Sequence, residues 1–66
     1  MQITVNGQTE TAPEALTVAD LVRSKGISSQ PCAVEVNKKL VPKRQHETHI
    51  LAESDVVEIV TLVGGG

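Results

Sequence analysis

The chain has no phenylalanine, tyrosine or tryptophan, only one cysteine, and a net charge of −2. Without aromatic rings there is no platform on which bases could stack, and so small a charge gives no field for a polyanion. Nucleic acid is therefore not an expected partner. Cys32 cannot form a disulfide within the chain, which excludes a stapled secreted fold. With no activating base announced, it reads as a small, partly buried thiol. The aliphatic runs fall far short of the roughly 20 residues that a membrane span needs. Met1-Gln2-Ile3-Thr4 lacks the basic and apolar regions of a secretion signal, so a cytoplasmic location is expected, away from the membrane. Neither Gly-x-x-x-x-Gly-Lys-[Ser/Thr] nor Gly-x-Gly-x-x-Gly occurs, and nucleotide chemistry would have to be done by a partner. His46 and His49 are too few for a metal site and read as a solvated pair, with no metal expected.

What is present suits one small domain. Sixty-six residues leave no room for a second lobe, and Val, Ile and Leu must supply nearly all the burial. An enclosed pocket for a drug-sized ligand would remove much of that core, so an adaptor, carrier or subunit is expected rather than a self-sufficient catalyst.

Met1 to Val5 alternates apolar and polar residues, meets Asn6-Gly7, and continues as Gln8-Thr9-Glu10-Thr11, which predicts an opening β-hairpin with Met1, Ile3 and Val5 facing a core. Thr17 is a plausible N-cap with Asp20 three residues on, and Leu16 and Leu21 can staple the helix entry. Val18, Leu21 and Val22 recur at helical spacing. Arg23 and Lys25 fall in the last turn, and Gly26 suits the position just past the helix end. Ala33-Val34-Glu35-Val36 reads as a strand with both valines inward. Leu40-Val41 reads as a short edge strand or turn beside Pro42, and His46 to Leu51 as either a short strand or a 3₁₀ turn. Val56 to Thr61 is the strongest strand. A hairpin, one helix and further strands make an α+β domain with the helix on one sheet face. The domain is expected over 1–62, with a flexible Gly-rich tail over 63–66.

If Val57 and Ile59 face the core, alternation puts Val56, Glu58 and Val60 on the face a single helix cannot cover, with Leu62 beyond them. Those residues form a candidate docking surface. Lys38, Lys39, Lys43 and Arg44 make a basic stretch that is either a solvated turn or a dock for an acidic surface. The terminal Gly64, Gly65 and Gly66 are either a frayed end or a reactive tail. Without Cβ atoms such a tail can be threaded through a narrow channel, and its ionised carboxylate is a poor electrophile until an external enzyme activates it, for example by adenylation.

The segments Ala33 to Arg44 and Ser54 to Gly66 resemble the ThiS family, the sulfur-carrier proteins of thiamin biosynthesis. The opening strand with Asn6-Gly7, the helix starting at Thr17-Val18, the Val-Asn-x-x-Leu-Val-Pro stretch and the Gly-Gly end occur in the family's order across nearly the whole chain. The resemblance implies a ubiquitin-like β-grasp fold, a mixed sheet of four to five strands with the first and last parallel at its centre. It further implies that an E1-like (ThiF-type) adenylating enzyme, using ATP and magnesium, activates the Gly66 carboxylate. A sulfur donor protein then makes it a thiocarboxylate, and a thiazole synthase (ThiG-type) takes the sulfur. Gly64 and Gly65 would thread the activating site. Val56, Glu58, Val60, Leu62, Lys43 and Arg44 would serve docking. The chain would bind no cofactor itself, act as a co-substrate rather than an enzyme, and be a monomer when free. Two residues depart from the family: His46 often stands as an aromatic residue there, which puts a packing contact in doubt, and Ser54 usually as glycine, which implies a different turn geometry. A molybdopterin-synthase small subunit, a ubiquitin-like protein modifier and a plain β-grasp interaction module remain as alternatives.

Overall fold

The computed structural model describes residues 1–62, so the tail expected over 63–66 lies outside the described residues. Five strands and one helix follow in order: β1 (Gln2–Val5), β2 (Gln8–Thr11), α1 (Val18–Ser24), β3 (Cys32–Val36), β4 (Lys39–Val41) and β5 (Val56–Thr61), with a 3₁₀ turn at Lys43–Gln45. The sheet order is β2-β1-β5-β3-β4. β1 and β5 run parallel, and the other neighbours are antiparallel. The first and last strands therefore lie side by side within a mixed sheet, as the β-grasp resemblance implies.

Local chemistry accounts for most of these elements. Asn6 and Gly7 both take positive φ, +50° and +84°, which closes β1 onto β2 as a two-residue turn with Val5 paired to Gln8. At the start of α1, Thr17 Oγ1 accepts the Asp20 N–H at 3.0 Å, and an Asp20 carboxylate oxygen accepts the Thr17 N–H at 3.2 Å. That reciprocal pair is the predicted capping arrangement. The two remaining N–H groups of the first turn find acceptors elsewhere in the chain. Val18 donates to the His49 carbonyl at 3.0 Å and Ala19 to the His46 carbonyl at 2.8 Å. Such groups would otherwise be unsatisfied. The helix ends with Gly26 at φ +74°, its N–H donating to Arg23 O.

The core lies between α1 and one sheet face. Val18, Leu21 and Val22 pack with Ile3, Val5, Val34, Val36, Val57 and Ile59, and Leu16 and Cys32 join at the margin, half-buried. A helix of two turns does not persist alone, so this packing holds it.

Three expectations need correction. The 3₁₀ turn begins earlier than His46, because Pro42 at φ −58° sets the chain into it directly after β4. Residues 46–51 contribute only an isolated bridge between Ile50 and Thr17. His46 is not solvated but buried, and its Nε2 donates to the Val41 carbonyl at 3.1 Å. The 3₁₀ turn brings it back to the last residue of β4, so a buried, hydrogen-bonded imidazole stands at the position whose packing the resemblance put in doubt. Ser54 stands at φ +70°, the left-handed region that glycine adopts freely, so its departure is one of backbone strain.

Candidate functional site

Strand register decides which side chains the uncovered face presents. Val57 is fully buried at 0% exposure and Ile59 is buried, while Val56 and Val60 are 46% and 58% exposed. This is the predicted alternation. In the antiparallel pairing of β3 with β5, Ala33 stands opposite Val60 and Glu35 opposite Glu58. β4 adds Leu40, 64% exposed, opposite Glu35. The open face is thus aliphatic, through Ala33, Leu40, Val56 and Val60, with two facing carboxylates at its centre. Among the described residues neither glutamate takes part in an ion pair. Like charges directly opposite each other in a sheet are destabilising. Alternation already turns Glu35 outward once Val34 and Val36 face the core, whereas Leu40 is not evident as a member of this face, because its pairing with Glu35 across the β3–β4 turn places it there.

Leu62 is exposed just past β5, and its N–H donates to the Pro31 carbonyl at 2.9 Å. It extends the aliphatic face toward the end of the chain. Lys43 and Arg44 are not part of it. Both are exposed on the 3₁₀ turn, and Lys43 lines a shallow depression with Ala19, Val22 and Arg23 on the helix side. Pro42 and that turn carry the chain from the sheet edge round to the helix layer. Lys43 therefore stands apart from the four candidate docking residues on and beyond β5. Gly64, Gly65 and Gly66 lie outside the described residues.

Among the described residues, no group of three or more His, Cys, Asp or Glu side chains could hold a metal ion. No helix among them is long and apolar enough to cross a membrane. What the arrangement offers chemically is a central strand paired on both flanks and an exposed aliphatic and acidic face, with the three terminal glycines following in sequence.

Comparison with known proteins follows the same lines. The model of the ThiS family matches residues 2–66. A sulfur carrier protein ThiS of Bacillus subtilis (strain 168) is 38% identical over 50 residues, 76% of this chain and 76% of that one. A thiazole synthase of Paramagnetospirillum magneticum is 33% identical over 66 residues, all of this chain but only 20% of that protein's length. The crystal structure of a thiamine biosynthesis protein (ThiS) from Geobacter metallireducens superposes with a TM-score of 0.84 at 28% identity, covering the whole of both chains.

Proposed function

The chain belongs to the ThiS family, the small sulfur carriers of thiamine biosynthesis, and from that premise we propose that it carries sulfur on the carboxyl group of Gly66 for delivery to a thiazole synthase. The observation that carries this reading is that the family match runs unbroken to residue 66, through the three terminal glycines. A carboxylate oxygen attacks the α-phosphate of ATP in the partner's site, releasing pyrophosphate and leaving an acyl adenylate. The adenylate supplies the leaving group that a carboxylate lacks. Sulfide delivered by a donor protein then attacks the acyl carbon, forming the C–S bond as the bond to AMP breaks and losing its proton, so that sulfur replaces one oxygen with no change of oxidation state. ATP and magnesium belong to the E1-like adenylating enzyme, and this chain is its protein substrate. Gly64 and Gly65 allow the approach because bare backbone passes where a side chain would not.

The open face is the docking surface in this reading, through Val56, Glu58, Val60 and Leu62, now joined by Glu35 and Leu40. Lys43 and Arg44, on the 3₁₀ turn, contribute charge that steers encounter. The Paramagnetospirillum relative supports the synthase as recipient, since there a segment like this chain makes up part of a thiazole synthase polypeptide.

Intact mass tests the proposal. Incubation with the adenylating enzyme, ATP, magnesium and a sulfur donor should raise the mass by the difference between one sulfur and one oxygen, located at Gly66. A chain that is adenylated but appears only in isopeptide linkage to lysines would be a modifier instead. An unchanged mass under conditions that load the Bacillus protein would refute the carrier reading.

A further inference from the structure

β5 is gripped from both sides along only part of its length. On its β3 flank the pairing runs from Val36 with Val57 to Cys32 with Thr61. On its β1 flank it stops at Val5 with Val57, where β1 turns away into Asn6-Gly7. The backbone of Ile59 would be left without partners on that flank.

Asn6 takes the place of the missing strand. Its backbone N–H donates to the Val57 carbonyl at 2.9 Å. Its side-chain Oδ1 accepts the Ile59 N–H at 2.8 Å, and its Nδ2 donates to the Ile59 carbonyl at 3.3 Å. One carboxamide thereby lengthens the parallel ladder by a residue. The requirements are narrow: a left-handed backbone, a short side chain, and one acceptor beside one donor. Asparagine meets all of them, whereas aspartate lacks the donor and glycine has neither group. Glycine would serve the turn itself equally well, so the turn alone does not call for asparagine at this position.

We propose that Asn6 is a positioning residue for the reactive end of the chain: by holding Ile59 it fixes the line along which β5 leaves the sheet toward Gly66. The inference rests on the carrier reading above. Beyond Ile59 the strand is held on one flank only, through Thr61 and the Leu62 N–H. Every residue that loosens before that point must be ordered again when the partner engages the end. Misplacing a reacting atom by about 1 Å can cost on the order of a hundredfold in rate.

The test measures kcat and KM separately in ATP-pyrophosphate exchange by the adenylating enzyme, with the full chain as substrate. Asn6→Gly keeps the turn and removes the carboxamide. Asn6→Asp keeps the acceptor and removes the donor. Thr17→Ala, at the helix cap, is a control that destabilises the domain away from β5. Asn6→Gly should lower kcat about tenfold while leaving KM near the wild-type value, because the docking face is untouched. It should also speed hydrogen exchange at the Ile59 amide. Asn6→Asp should fall between, and it carries the same comparison if Asn6→Gly melts below the assay temperature. Thr17→Ala should leave kcat unchanged. Wild-type kcat in both Asn6 variants, or an equal fall in Thr17→Ala, would overturn the positioning role. If the wild-type chain itself supports no exchange, the carrier reading fails and the inference falls with it.

Discussion

The covered and open faces of this sheet are built from the same residue types. β5 alone places Val57 and Ile59 under the helix and their neighbours Val56 and Val60 in solvent, one residue apart in each case. On the covered face, aliphatic side chains from β1, β3 and β5 close against α1 into one core. On the other, similar side chains surround two opposed glutamates. Hydrophobicity along a strand therefore does not say which side is core, and what stands above each side does. The opposed carboxylates add a second lesson. A like-charge pair, which works against stability, stands at the centre of the uncovered surface.

The strongest way to break this comparison is to put one charge on each face in turn. Val57→Asp buries a carboxylate with no partner and should cost several kcal/mol, comparable with the total stability of so small a domain. Val60→Asp, on the open face, should stay within about 0.5 kcal/mol of wild type. Urea or thermal melts read both. Similar midpoints would mean that the faces are not distinct as described.

A smaller effect comes from the backbone rather than from either face. Lys38 closes the β3–β4 turn at φ +70°, beside Asn37 at +53°. Left-handed conformation costs a residue with a Cβ roughly 1–2 kcal/mol, part of which glycine returns through its greater unfolded-state freedom. Lys38→Gly should therefore stabilise the domain by about 0.5–1 kcal/mol, raising the melting temperature by several degrees. A lower melting temperature would show that the lysine stem contributes packing that outweighs the strain.

That turn also marks where the sequence stops being legible. Asn6-Gly7 announces its hairpin because glycine accepts the required conformation, whereas Asn37-Lys38 adopts the same sign of φ with a residue that gives no such signal. The alternation in β1 and β5 and the Thr17–Asp20 cap are short-range patterns, and they read correctly. His46 was illegible because its burial depends on Pro42 and a 3₁₀ turn after β4, not on any period. Part of the candidate site has the same character. Val56, Val60 and Glu35 each follow from alternation within one strand, but which of them stand side by side, and that Leu40 joins them, depends on strand pairing. Asn6 meets Ile59 across 53 positions of sequence. Folded chain, not local pattern, brings these residues together.

Relieving the opposed carboxylates should sharpen the contrast between faces. Glu58→Lys turns a like-charge cross-strand pair into an opposite-charge one and should stabilise the fold by about 0.2–1 kcal/mol. The gain should shrink in ~1 M salt, where screening acts over about 3 Å. The same change should weaken binding to the adenylating enzyme if the open face docks it. Stability and affinity would then move in opposite directions. A variant that loses both would point to a structural role for Glu58.

The smallest effect concerns the helix that covers the core. The Arg23 side chain donates to the Asp20 carboxylate, and the Thr17 backbone N–H adds to this, holding the Asp20 pKa below its ordinary value of 3.8. A carboxyl whose pKa is depressed by folding contributes stability that is fully present above the unfolded value and is lost as pH falls through the folded one. The cap should thus weaken only below about pH 4, leaving the neutral range flat. Because Asp20 is exposed, the loss should be small, and it should appear as a shallower acid limb of the stability profile in Asp20→Ala than in wild type. Arg23 also pairs with Glu47 at 3.3 Å, in the segment whose carbonyls receive the Val18 and Ala19 N–H groups. An acid limb identical in the two proteins would show that the first turn of α1 is held by those carbonyls alone, and that the covered face owes its lid to tertiary contacts rather than to the cap.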